Sequence, residues 1–428
     1  MRQIVRRALQ TCRVPDDLES VTCRDSAAEQ PASVGISESA TDAVWRSVQR
    51  LYRTGTHPGI QLSVRHRGVS VLNRAIGHAS GNGPRAPAAA NKVAMTPETP
   101  VCYFSASKAV TALLIHILAE DGLVNLLDPI AYYFPEFAQR GKGSINIYQI
   151  LSHRGGIPAI PKETSIDVLW DKEEVWRLLC EAEPVAVDGS KLAYHAITGG
   201  YVLQRVLEKV TGNTIEVFLD RHIRKPMGMR YFTYGLSTED LEKLATNYAT
   251  GPTPFFPVSR IVQQALGADL HTVEQVVNDP RFQSAVIPAG NLCGTAEEMG
   301  RFFQMMLNGG VWEGKRICQT VTVRRAIQPY GSLQLDRTLM LPMRFSAGLM
   351  LGGNPVGLWG QGSGDAFGHV GLINKFCWAD PARDISVSLI NTGIPIVGHH
   401  LPALAHFIYS INHEFRPVRQ SQRPLAIP

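Results

Sequence analysis

The sequence predicts an α/β fold of the α+β kind, an antiparallel sheet built from both chain ends and flanked by helices, with an inserted mainly helical domain. Three observations predict it. Period-two apolar alternation is concentrated near the two ends, in Ile60–Gly68, Val69–Ala75, Phe345–Leu351, Ile373–Trp378 and Ile385–Ile390. Helical periodicity fills the middle. Between them, after Phe104, runs one almost wholly apolar helix, Ser105 to Leu118.

In chain order, residues 1–36 are polar and mixed and read as an arm outside the core. Asp42–Tyr52 has helical spacing. Pro58-Gly59 then leads into a hairpin turning at His66–Gly68. The apolar helix stops at Glu120-Asp121-Gly122. Further helices are expected at Ser144–Leu151, Lys172–Glu181, Ala196–Thr211 and Asn213–Ile223, with loops and a helix around Thr272–Val277. Thr295-Ala296-Glu297-Glu298 reads as a capping box opening a helix that reaches Leu307. A last helix spans Gly398–Ile411. The resulting division is 37–100 with 286–415 for the sheet domain, 101–285 for the helical domain and 416–428 for a tail.

The totals exclude several classes. A net charge of +5 without a basic stripe interleaved with aromatics argues against nucleic-acid binding. No apolar run reaches the length of a membrane span, and the first residues lack the core of a signal peptide. Seven widely spaced cysteines without Cys-x-x-Cys fit neither a zinc site nor a disulfide scaffold, so the expectation is a cytoplasmic protein with no metal and no cofactor. Oligomeric state is not legible. Neither a Gly-x-Ser-x-Gly elbow nor a phosphate-binding glycine loop is present.

The chemistry concentrates at Ser105-Ala106-Ser107-Lys108. Residues three apart share a helix face. A serine at a helix mouth has free N–H groups beside it to hold an oxyanion, and a lysine one turn in can take its proton if burial keeps the amine neutral. Two later stretches join it: Tyr194 before a long helix, and Phe367-Gly368-His369-Val370-Gly371 before a strand. Alone, each has an ordinary structural explanation, Tyr194 as a packing residue and His369 as a core histidine. His153 reads as capping the turn at Gly155.

Together, in this order, Ser-x-x-Lys, a tyrosine motif and His-x-Gly resemble the serine β-lactamase and penicillin-binding-protein superfamily, most closely its family VIII carboxylesterases. The likeness extends over about 40–412 and includes Ile150–Pro158, Lys225–Met229 and Ala289–Thr295. It implies a β-lactamase/transpeptidase-like fold. It implies Ser105 as nucleophile, Lys108 as helper base, Tyr194 as proton shuttle and His369 in the third-motif position. The oxyanion hole would be the N–H groups of Ser105 and Leu372. Gly371 and Tyr103 are further substrate-binding candidates. So is Phe255, in a loop (251–257) that either walls a pocket or belongs to the core.

As a base, Tyr194 would need a depressed pKa, with a Lys108 ammonium favouring the phenolate. Two departures point to neutral esters. Ala196 stands where the family has an asparagine, and His369 replaces a lysine that meets substrate carboxylates. The implied activity is hydrolysis of carboxylic esters of short to medium acyl chains through an acyl-Ser105 intermediate. Acyl transfer, amidase or β-lactamase-like peptidase action, and a non-catalytic binding relative stay open.

Overall fold

A computed structural model describes residues 9–160, 164–372 and 374–417. Strand β1 (Thr22–Arg24) is followed by helix α1 (Glu38–Arg53), β2 (Gly59–His66), β3 (Val69–Ser80), β4 (Val93–Ala94) and β5 (Val101–Cys102). Helix α2 (Ser107–Glu120) comes next, then α3 (Thr198–Thr211), β6 (Thr233–Tyr234), β7 (Leu292–Gly294) and α4 (Ala296–Leu307). The chain closes with β8 (Gln334–Asp336), β9 (Leu341–Met343), β10 (Met350–Leu351), β11 (Phe367–Gly371), β12 (Lys375–Asp380), β13 (Ile385–Asn391) and α5 (His400–Glu414). Shorter helices fill the stretch between α2 and β7.

The main sheet runs β1-β3-β2-β13-β12-β11-β10, with β4 beside β3, and its pairs are antiparallel. The two chain ends meet at β2 and β13, where Val64 faces Val387 and Ile60 faces Asn391. The β2–β3 turn takes Arg67 and Gly68 into positive φ (50° and 82°), the conformation that matches strand twist in a two-residue hairpin.

Alternation along β13 explains the layers. Val387 and Leu389 join Leu62 and Val64 in a core covered by α1 and α5 through Val48, Leu51, Leu404 and Phe407. The intervening serines meet α4 instead. Ser386 Oγ donates to Gly300 O at 3.0 Å, and a Cβ built on Gly300 would lie 3.0 Å from Ser63 Oγ. Small residues on both sides therefore let α4 lie close on the sheet. Its start is held as expected, by a reciprocal capping box between Thr295 and Glu298. Helix α2 is buried along one side of this second core, from Ser107 to Leu118.

The structure corrects several expectations. The arm is not outside the core over residues 9–36, because β1 pairs with β3 and Leu18 is buried beneath α1; residues 1–8 and the tail from 418 lie outside the described residues. Phe345–Leu351 is a tight turn and not a full strand, with Gly348 at φ 120° and only Met350–Leu351 extended. Ile373 lies outside the described residues, and the strand there is Lys375–Asp380. Residues 258–284 form three short helices, and β8–β9 is a hairpin forming its own two-stranded sheet.

Gly300→Val should destabilise the fold by about 1–3 kcal/mol, because the added carbons must enter the packed α4–sheet contact. Urea unfolding of the variant beside the parent measures this; no shift in midpoint would mean that the contact has room.

Candidate active site

The serine turn is built by three short strands and a staple. β5 pairs with β7, and Tyr103 N donates to Leu292 O at 2.8 Å. The chain then turns at Phe104, whose φ of +51° is strained for an aromatic residue, through a 3₁₀ turn, Phe104–Ala106, into α2. Ser107 holds this turn by donating from Oγ to Phe104 O and accepting from Leu292 N at 3.0 Å. Ser105 is left half-buried at the helix mouth.

Lys108 points back to Ser105, with Nζ 3.1 Å from the serine Oγ. The same nitrogen donates to Ala196 O at 2.7 Å and Ala289 O at 2.8 Å. Burial drives its pKa well below the usual 10.5. A neutral amine has two N–H donors and one lone pair. Two carbonyls and one hydroxyl match that set, which leaves the lone pair for the Ser105 O–H. Ala196 thus contacts the lysine through its main-chain carbonyl and not through a side chain.

Tyr194 is buried and joins the group from the other side. Its phenol is hydrogen-bonded to the Ser105 side chain, and its ring centroid lies 4.9 Å from Lys108 Nζ. Burial raises the Tyr194 pKa, and the serine hydrogen bond offsets only part of the rise. Burial opposes the expected phenolate and ammonium: it lowers the Lys108 pKa and raises that of Tyr194, so desolvation favours the neutral form of each group.

His369, on β11, is fully buried, with its ring 6.2 Å from the Tyr194 ring. Nδ1–H donates to Val370 O at 3.0 Å, which leaves Nε2 as a buried acceptor without a protein partner. Burial pushes its pKa down to about 3. His153 is not the expected cap of the Gly155 turn. Its Nδ1 accepts from His195 N at 3.2 Å, and its ring lies 4.5 Å from the Tyr194 ring. His195 is also buried, with a pKa lowered to about 3 by burial.

The end of β11 is brought to the serine turn by close backbone approach. A Cβ on Gly371 would collide with Tyr103 O. This position requires glycine for packing against the turn, and no substrate contact is needed to explain it. Leu372 follows at φ +36°. The turn is pinned by Asn391 Nδ2 donating to Asn374 O (2.7 Å) and Asn374 Nδ2 to Pro395 O (2.6 Å). Lys375 lies beneath it, Nζ 4.9 Å from the Phe104 ring.

Two expected substrate contacts are elsewhere. Tyr103 is fully buried: its hydroxyl donates to Thr295 O at 2.6 Å and its ring packs on Phe232, so it belongs to the support and cannot face a substrate. Phe255 is 72% exposed, on the loop whose Pro252–Pro254 stretch lines a separate cleft of about 930 Å³ between Arg13, Arg85 and His271. That exposure does not fit a closed pocket wall, and none of Ser105, Lys108, Tyr194 and His369 lines that cleft. Conversely, sequence patterns missed the Ala289 carbonyl and Asp336, whose Oδ1 accepts from Tyr194 N at 3.2 Å. Among the described residues no group of three or more His, Cys, Asp or Glu is placed to hold a metal, and no helix is long and apolar enough to cross a membrane.

Comparison with known proteins identifies the family. The family described as Beta-lactamase matches residues 46–396. The chain is 27% identical over 299 residues to "Esterase/beta-lactamase LipL" of Mycobacterium tuberculosis, spanning 67% of this chain and 68% of that one. Among solved structures, it is similar to a penicillin-binding protein homologue from Caulobacter crescentus (TM-score 0.76, 24% identity, 89% of this chain and 99% of that one). It is also similar to a family VIII carboxylesterase (TM-score 0.73, 22% identity, 88% and 98%). The likeness to those structures shows a shared fold, and a family match over most of the sequence establishes that this chain belongs to the beta-lactamase family.

Proposed function

We propose that the protein is a serine esterase that hydrolyses neutral carboxylic esters of short to medium acyl chains through an acyl-Ser105 intermediate. The observation that carries this is the Lys108 amine, buried, 3.1 Å from Ser105 Oγ and engaged by two carbonyls. The likeness to a protein named as an esterase/beta-lactamase supports it.

The steps follow from the resting protonation states. Ser105 gives its proton to Lys108 as Oγ attacks the ester carbonyl. The resulting ammonium is stabilised by the Ala196 and Ala289 carbonyls and by the face of the Tyr194 ring. The N–H groups of Ser105 and Leu372 hold the oxyanion. Tyr194, protonated at rest, gives its proton to the departing alkoxide, and Lys108 returns one to the tyrosine. Water then attacks the acyl-enzyme by the reverse sequence. Neutral substrates fit because His369 stays uncharged and Ala196 brings no amide to a substrate amide.

Two outcomes are expected. Intact-protein mass after brief exposure to a p-nitrophenyl short-chain ester should show an acyl adduct in the parent and none in Ser105→Ala; full esterase activity in Ser105→Ala would overturn the reading. Secondly, kcat/KM should fall about tenfold per pH unit once pH drops below the Lys108 pKa, because only the neutral amine accepts the serine proton. That pKa is lowered, so the fall should begin at a lower pH than an ordinary lysine would impose. Lys108→Arg, charged at all accessible pH, should lose at least about 100-fold at pH 8, measured as kcat/KM.

A further inference from the structure

Two cysteines face each other beside the serine turn. Cys102 ends β5 and Cys293 is the middle residue of β7, and they are direct partners in the antiparallel register. Tyr103 N donates to Leu292 O in the next rung, so the Cys102–Cys293 rung is one without backbone hydrogen bonds between its members. Side chains of such a rung lie on one side of the sheet. Their Cα atoms stand about 4.5 Å apart, within the roughly 4.4–6.8 Å that a disulfide spans. Both sulfurs turn to the same neighbouring segment, Cys102 Sγ donating to Gly290 O at 3.6 Å and Cys293 Sγ to Asn291 O at 3.4 Å. Both are thiols in this structure. Cys23 and Cys377 are placed otherwise: Cys23 faces Ala75, and Cys377 faces His369 and Ser388.

The rung sits at the neck of the mainly helical stretch. β5 leads into that stretch and β7 leads out of it. Between them lie α2, α3, the shorter helices and, of the site, Ser105, Lys108 and Tyr194. The same two strands hold the serine turn, through Tyr103 N on Leu292 O and Leu292 N on Ser107 Oγ. A covalent bond across the rung would close residues 103–292 into a loop and so oppose the unfolding of the segment that carries the nucleophile and its base. Both cysteines are only 1% exposed. That keeps bulky thiol caps such as glutathione away from them, while a water-sized oxidant enters through local opening.

We propose that Cys102 and Cys293 form a disulfide when the protein meets a peroxide, and that this bond staples the neck of the segment carrying Ser105 and Lys108. One thiol gives up its proton, and the thiolate displaces hydroxide from hydrogen peroxide, leaving a sulfenic acid; the hydroxide takes the proton and becomes water. The sulfur of the second cysteine then attacks the sulfenic sulfur and expels a second water. Overall the two thiols lose two electrons and two protons, and one peroxide becomes two waters. Lys375, buried beneath the same turn, favours the thiolate form of both sulfurs. The assignment stands apart from the esterase reading, because it needs the strand register and no turnover.

The test starts from the full chain, purified with a reductant and then freed of it. The protein is exposed to hydrogen peroxide, quenched with catalase, unfolded in urea with N-ethylmaleimide to cap remaining thiols, and digested without reduction. The expected product is a peptide pair joining Cys102 to Cys293, two hydrogens lighter than its separate parts and split by dithiothreitol. Maleimide on both Cys102 and Cys293, at peroxide levels that oxidise other cysteines of the chain, would overturn the proposal. This mapping uses the parent protein, so it decides even where a cysteine variant does not fold. The second arm reads the staple: the urea midpoint of the linked form should rise by roughly 1 M and fall back on reduction. Cys102→Ala given the same peroxide treatment should show no rise; an equal rise there would assign the stabilisation to another oxidation and overturn the staple. A linked parent whose midpoint does not move would overturn it too. Neither arm reads esterase turnover, so a protein that links this pair and cleaves no ester would keep the disulfide assignment and lose the esterase reading.

Discussion

A lysine amine held away from water by two backbone carbonyls and one serine hydroxyl is the constraint on which the rest of the site depends. Ammonium groups are costly to bury, and a low-dielectric surround favours the neutral amine. Helix α2 makes that surround by being apolar along almost its whole length. The carbonyls come from two distant parts of the chain, Ala196 before α3 and Ala289 before β7. The lysine environment therefore exists only once the helical region and the sheet strands have docked, which couples the chemistry to the whole fold.

The same dryness sets the other protonation states. Tyr194 keeps its proton, and His153, His195 and His369 are held towards their neutral forms beside Lys108. A site whose basic groups are all pushed towards their neutral forms has one strong base, the amine, and one acid, the phenol. Charge develops only during reaction, where the carbonyls and the tyrosine face can meet it. Close backbone contacts preserve the geometry: Gly371 against the Tyr103 carbonyl, and Ser107 stapling the strained turn at Phe104.

How much of this could be read from residues alone follows from which atoms do the work. Side chains at fixed helical spacing were legible, so Ser105 and Lys108 were found from the apolar run and their separation. Tyr194 and His369 came from the order of motifs and not from periodicity, because neither lies in a patterned element of its own. Backbone carbonyls carry no sequence signature, which hid Ala196 O and Ala289 O. Asp336 was hidden by inverted patterning: in β8, Leu335 is 58% exposed while Asp336 is buried, the reverse of an ordinary edge strand. Tyr103 misled because an aromatic beside the nucleophile suggests a pocket wall, yet its side chain turns into the core onto Phe232. The polar edge strand Thr22–Arg24 is three residues long, too short for alternation to register.

The most direct measurement is the pKa of Lys108 itself, by NMR of lysines labelled with ¹³C at the ε-carbon and assigned with Lys108→Arg. A dry base poised on Ser105 predicts one resonance that titrates well below the ordinary lysine value of 10.5, as an outlier from the solvated lysines. A Lys108 resonance that titrates with the solvated lysines would contradict the neutral resting amine and, with it, the division of roles between lysine and tyrosine.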